Sequence, residues 1–212
     1  MKSVALVVYD FDGTLVDTLD DIAASVNAVL VELGLSAHPT DTIRKFVGKG
    51  VVNLMTRALE GNGDVENAVA LFKRHYADHL LEHTRLYPNG REIVEHFSHK
   101  KQSILSNKPE SFIEQILDGL NFRSPFLSVV GGDTFATRKP DPEGLRHIMN
   151  QHGVSPAEVV MVGDSDVDME TGKRAGVATV GVSFGFCDPG SNPQFPPDFV
   201  IDDLSELRRI IQ

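Results

Sequence analysis

The chain has no tryptophan and one cysteine, Cys187, in 212 residues. A single thiol cannot close a disulfide within the chain, so nothing requires an oxidising compartment, and Cys187 reads as a loop or packing residue. Positive charge is also scarce. Twenty Lys and Arg against 30 Asp and Glu leave a formal net charge of -10, which argues against a nucleic-acid partner held through its phosphates. A small phosphorylated substrate stays compatible, because a metal ion can supply positive charge locally. No apolar run reaches the roughly 18 residues of a transmembrane helix, and residues 4–9 are too short for a signal-peptide core. No membrane partner is expected, and the cytoplasm is the expected compartment. The sequence carries no signal of oligomeric state.

What remains is an ordinary globular composition, with 41% hydrophobic and 24% charged residues. The length suits a main domain with a smaller one inserted. Residues 4–9 form a continuous valine-rich run that reads as a strand buried on both faces. Similar runs recur at 103–105, 127–130, 159–162 and 178–182, separated by helical patterns at 92–97, 111–120 and 142–152. Asp141 is the expected N-cap of the last, with Pro142 at its first position. Strands alternating with helices predict an α/β fold, a doubly wound and mostly parallel sheet whose ligands sit beyond the C-terminal strand ends. Residues 16–82 break the rhythm. Ile22, Val26, Val29, Leu30 and Leu33 recur at helical spacing before Gly34, a second helix precedes Gly61-Asn62-Gly63, and a third is expected over 65–82. So much helix between the first two strands predicts an inserted helical domain over 16–82, with 1–15 and 83–212 forming a discontinuous core.

Four segments carry the chemistry: DFDGT (10–14), LSNK (105–108), RKPDP (138–142) and GDSDVD (163–168). Three follow expected strands and the fourth leads into a helix, so their polar groups would gather at one sheet edge. Asp10, Asp12, Asp164 and Asp168 would repel one another there unless a cation joined them. Hard oxygen ligands favour Mg²⁺, which takes one or two protein carboxylates and keeps waters. Lys139, Ser106 and the turn amides after Asp10 would receive a phosphoryl group. An aspartate can also act as a nucleophile, with a second carboxylate two residues on as acid and base.

DFDGTLVDT, SNK, KPDP and GDSDVD resemble the four signature motifs of the haloacid dehalogenase superfamily phosphatases. The insertion resembles the helical cap of the subgroup containing phosphoglycolate phosphatases, and the likeness runs on through GVSFGF (181–186) to Asp202-Asp203-Leu204. The resemblance implies a Rossmann-like core with Asp10 as nucleophile and metal ligand. It implies Asp12 as general acid and base, with its carbonyl on Mg²⁺. Ser106, Asn107 and Lys139 would hold the phosphoryl oxygens, Asp164 the metal, and Asp168 the metal's water or Lys139. Asp12 points to phosphate esters, since relatives that cleave other bonds lack it. Related mutases carry an arginine aligned near Val51, which is absent from Phe46-Val47-Gly48-Lys49-Gly50-Val51. The expected substrate is a small acidic phosphomonoester, 2-phosphoglycolate first, with Lys49 and Arg44 as candidates for its anionic end. A nucleotide or pyrophosphate phosphatase and a β-phosphoglucomutase-like mutase are the enzymatic alternatives.

Non-enzymatic readings fare worse. Neither DxDGT nor DSDVD continues as an EF-hand, because positions six and twelve are Leu15 and Asp21, or Met169 and Ala175. A phospho-accepting domain would lack the helical insert, and a structural partner protein would not need every chemical group present. His75, His79 and His83 fall at i, i+4, i+8, a spacing that could hold a transition metal, but surface or packing roles are expected.

Overall fold

Strand β1 (Leu6–Tyr9) lies at the centre of the molecule, and none of its four side chains reaches solvent. The computed structural model describes residues 3–212; residues 1 and 2, the start of the expected core segment, lie outside the described residues. Alternation with a period of two sends Val7 and Tyr9 into one apolar cluster and Leu6 and Val8 into the other. Burial of each such side chain stabilises the fold by about 1.5–3 kcal/mol at most. The Tyr9 hydroxyl, carried into the interior, donates to Gln102 Oε1 at 3.2 Å.

The sheet runs β5 (Ser128–Val130), β4 (Lys101–Leu105), β1, β6 (Val159–Gly163), β7 (Ala178–Val182), β8 (Phe199–Ile201), and every pairing is parallel. The five expected strands are all present. β8 was not expected, being a three-residue edge strand with Phe199 and Val200 exposed, too short to carry a pattern. From β1 the chain builds outward on one side through β4 and β5, then returns to the other side with β6. Chain order therefore reverses at β1, and the C-terminal ends of β4, β1 and β6 border one crevice. Helices α5 (Gly90–His96), α6 (Glu110–Gly119), α7 (Glu143–His152), α8 (Asp166–Ala175) and α9 (Leu207–Ile210) complete the core. α7 begins one residue later than expected, with Pro142 as its N-cap. Asp141 still satisfies the first turn, its Oδ1 accepting from Glu143 N at 2.9 Å.

After β1 the chain pairs briefly with itself, Val16 opposite Leu86 and Asp17 opposite Arg85, in an antiparallel ribbon of β2 (Val16–Asp17) and β3 (Arg85–Leu86). Between these strands lies the all-helical cap: α1 (Leu19–Glu32), α2 (Thr40–Arg44), α3 (Val51–Leu59) and α4 (Val65–His79). The expected three helices are there. α2 adds five residues with one buried apolar side chain, Ile43, too little to show as periodicity. α4 is capped by Asp64, whose side chain accepts from Glu66 N at 2.9 Å. It stops at His79, three residues short of the expected end, so His83 is off the helix on which its spacing was counted. The three histidines do not form one row of ligands: His75 meets Ser25 and stacks on His79, His79 meets Glu82, and His83 meets Asp21. Cap and core share one apolar cluster, with the Tyr76 ring edge-on to Phe112 of α6 at 5.2 Å between centroids. Among the described residues no helix is long and apolar enough to cross a membrane.

Candidate active site

The turn after β1 is built by one carbonyl. Phe11 O accepts from the backbone N–H groups of Thr14, Leu15 and Val16, while Gly13 N donates to Val16 O at 2.9 Å. Gly13 takes φ +81°, a conformation that favours glycine, and a Cβ there would lie 2.3 Å from Asp164 Oδ2. The missing side chain thus lets the β1 and β6 carboxylates approach. Of the turn amides expected to face a phosphoryl group, those of Phe11, Gly13 and Thr14 are engaged within the turn and with Asp10. The Asp12 N–H and carbonyl take no part in these bonds.

Asp10, Asp164 and Asp168 offer carboxylate oxygens within 4.8 Å of one another, and all three residues are buried. Lys139 lies against two of them, its Nζ 2.8 Å from Asp10 Oδ1 and 2.6 Å from Asp168 Oδ1. Burial alone would lower the lysine's pKa, but Asp10 and Asp168 outweigh it and hold the ammonium firmly charged. Lys139 contacts two of the three carboxylates, and Asp164 has no ion pair of its own among the described residues. Burial, then the charge of Asp168, pushes Asp10 up to about 7 against the pull of Lys139 and the bond from Phe11 N. Asp164 is raised well above its ordinary range by burial and by Asp168 and Asp10. Such a cluster calls for further positive charge.

The bonding of each oxygen sorts the carboxylates. Asp168 has both oxygens occupied, Oδ1 by Lys139 and Oδ2 by Ser165 Oγ at 2.6 Å and Ser165 N at 3.1 Å. Asp164 Oδ2 accepts from Phe186 N at 2.7 Å and Cys187 N at 3.3 Å. No hydrogen bond engages Asp164 Oδ1 or Asp10 Oδ2 among the described residues. Two open oxygens from two hard ligands suit Mg²⁺, which binds one or two carboxylates and retains waters.

Asp12 points the other way. Its Oδ1 accepts from Thr18 Oγ1 at 2.7 Å and from Lys108 Nζ at 3.0 Å. Ser106 sits at the end of β4, buried, with its N–H on Val130 O and its Oγ 3.4 Å from Lys108 N. Asn107 turns its amide away from the carboxylates. Its Nδ2 donates to Lys139 O and to Gly48 O of the cap, both at 3.0 Å, and its Oδ1 is buried without a partner. Lys49 is exposed on the α2–α3 loop and lines a cleft with Arg138, Asp166 and Glu170. Arg44 is partly exposed, 3.7 Å from Asp41. Neither lines the cavity beside Asp12.

Sequence reasoning passed over Lys108, although it stands in the LSNK segment at the same sheet edge. It also passed over Thr18 and Tyr76, which reach the site from the cap side and carry no local motif. The backbone of Phe186 and Cys187 was equally invisible, because an amide donor leaves no letter. The Cys187 thiol is pushed up to about 12 by burial and then by Asp164, so it stays protonated and inert.

The haloacid dehalogenase-like hydrolase family matches residues 7–182 of this chain, from β1 to the end of β7. The chain belongs to the haloacid dehalogenase-like hydrolases. Within them it sits with the phosphatases. It is 37% identical over 212 residues to a phosphoglycolate phosphatase of Pseudomonas putida, covering 95% of this chain and 78% of that one. A phosphoglycolate phosphatase of Aquifex aeolicus is 35% identical, with 97% and 96% covered. The crystal structure of a predicted phosphoglycolate phosphatase from Haemophilus somnus 129PT superimposes with a TM-score of 0.92 over the whole of both chains, at 28% identity. As a haloacid dehalogenase-like hydrolase, the chain places all four of its motifs around the reversal at β1.

Proposed function

We propose that this hydrolase removes the phosphoryl group from a small phosphorylated hydroxy acid, 2-phosphoglycolate first, through an aspartyl-phosphate on Asp10. The observation that carries the reading is the buried cluster of Asp10, Asp164 and Asp168 with Lys139 at the crevice where chain order reverses, with Asp12 two residues on from Asp10. Names of the relatives support the substrate. In the first step an oxygen of Asp10 attacks phosphorus and the ester P–O bond breaks. Asp12, held by Thr18 and Lys108, gives a proton to the leaving oxygen. In the second step water attacks the same phosphorus, Asp12 takes its proton, and Asp10 is released as carboxylate with inorganic phosphate. Lys139 and the Ser106 hydroxyl meet the charge on the phosphoryl oxygens. Mg²⁺, held by Asp10, Asp164 and the Asp12 carbonyl, would neutralise that charge further. Asp168 keeps Lys139 in place, and Asn107 ties the lysine's backbone to the cap.

The helices between β2 and β3 act as a lid over this crevice, with bounds close to 16–82. The compartment is the cytoplasm. Phosphate release from about twenty metabolite esters, in Mg²⁺ and in chelator, tests the reading. Activity on 2-phosphoglycolate is expected to disappear with chelator and to fall by more than roughly a thousandfold in Asp10→Asn. A preference for nucleotides or pyrophosphate would overturn the substrate, and an active Asp10→Asn would overturn the mechanism.

A further inference from the structure

Beside Asp12 a cavity of about 50 Å³ lies between the cap and α6. Of its lining residues only Asp12 and Lys108 bear charge, and Ile22, Val47, Leu54 and Phe112 supply apolar walls. A water-sized group needs about 10–15 Å³ by this measure, so the cavity takes roughly three to five non-hydrogen atoms. A two-carbon hydroxy acid fits that allowance.

Lys108 is 7% exposed. Its ammonium has three N–H donors. One meets Asp12 Oδ1 at 3.0 Å and one meets the Tyr76 hydroxyl at 2.8 Å, with Nζ 4.5 Å from the Tyr76 ring centroid. The third has only the second Asp12 oxygen, Oδ2, at 3.4 Å, the longest of the three contacts. A buried ammonium whose third donor is held only at 3.4 Å, at the wall of a cavity next to the acid that protonates the leaving oxygen, is placed to read what is attached to that oxygen.

We propose that Lys108 recognises the carboxylate of the leaving group, giving its third N–H to one carboxylate oxygen while the intervening carbon rests on Ile22, Leu54 and Phe112. The inference rests on the phosphatase reading above and assigns the substrate's second anionic group to a core lysine, not to Lys49 or Arg44. Tyr76 is a positioning residue that holds the ammonium at the wall.

The test compares kcat/KM for 2-phosphoglycolate and for its neutral amide, 2-phosphoglycolamide, in wild type and Lys108→Met. Wild type is expected to prefer the acid by roughly ten- to a hundredfold, the range of a hydrogen bond to a charged group. In Lys108→Met the ratio collapses towards one, whatever loss both esters share through Asp12. If both esters fall equally and the preference survives, Lys108 serves Asp12 alone and the assignment is overturned, while the phosphatase reading stands. If wild type hydrolyses neither ester, the reading beneath it fails and takes the assignment with it, whereas hydrolysis of both without preference overturns the assignment alone. Should Lys108→Met not fold, Tyr76→Phe carries the test. It keeps the ring and removes the hydroxyl, and a severalfold drop in the same ratio is expected, whereas an unchanged ratio overturns the assignment.

Discussion

Gly13→Ala probes the acidic crevice without altering an ionisable group. At φ +81° the new side chain sits in the left-handed region, at a cost of about 1–2 kcal/mol. The added carbon would stand 2.3 Å from Asp164 Oδ2, 2.8 Å from its Cγ and 3.2 Å from Phe186 Cδ2. Asp164 has little room to retreat. Its Oδ2 is held by Phe186 N, and Gly185 packs so closely behind it that a Cβ there would lie 2.3 Å from Asp164 Cβ. Either the 10–14 turn shifts or Asp164 gives up a bond worth about 1 kcal/mol net. Together these effects predict a loss of about 2–4 kcal/mol, or roughly 4–16 °C in Tm for a chain of this size. Calorimetry measures that loss. A titration of phosphate release against Mg²⁺ measures the second consequence, a half-saturating concentration raised about tenfold or more as Asp164 is displaced. An unchanged Tm would refute the packing argument. A lowered Tm with an unchanged Mg²⁺ profile would refute the role given to Asp164.

Two further perturbations test other parts of the structure. Lys139→Met leaves Asp10 and Asp168 without their shared cation, so urea unfolding should show a loss of about 3–5 kcal/mol, and equal stability would show that the ion pairs contribute nothing net. Asp21 is buried, which raises its pKa, but hydrogen bonds from Thr84 and His83 outweigh burial and hold the carboxyl below its ordinary range. A lowered folded-state value means that its contribution is complete above the ordinary carboxyl pKa and disappears as pH falls through the folded one. The urea midpoint should therefore fall less between about pH 5 and pH 3 in Asp21→Asn than in wild type, and parallel acid profiles would refute the linkage.

The core was legible because a parallel sheet buried on both faces writes itself as short apolar runs, and β1, β4, β5, β6 and β7 all carry one. The order of β4, β1 and β6 followed from no single segment, and it is this order that brings Asp10, Ser106 and Asp164 together. Local signals failed where the determinant was short or distant. α2 and β8 bury too little to show a period, and α4 ends early because Asp21, far away in sequence, captures the backbone of His83 and Thr84. In the site, the motif carboxylates and Lys139 could be named from their spacing. Thr18 and Tyr76 could not, since their value lies in contacts made across the cap boundary. Asn107 was named for phosphate, yet its amide faces two carbonyls, a geometry set by how the Gly48 loop reaches the core.

The two-stranded ribbon formed by Val16–Asp17 and Arg85–Leu86 brings the start and finish of the helical insert side by side, about one strand spacing apart. To the sheet, some seventy residues of helical insert are thus equivalent to a tight turn. Whatever is threaded through that doorway, long or short, leaves the register of β1 with β4 and β6 undisturbed. Substrate choice can accordingly drift over evolutionary time while the apparatus that cleaves the ester stays where it is.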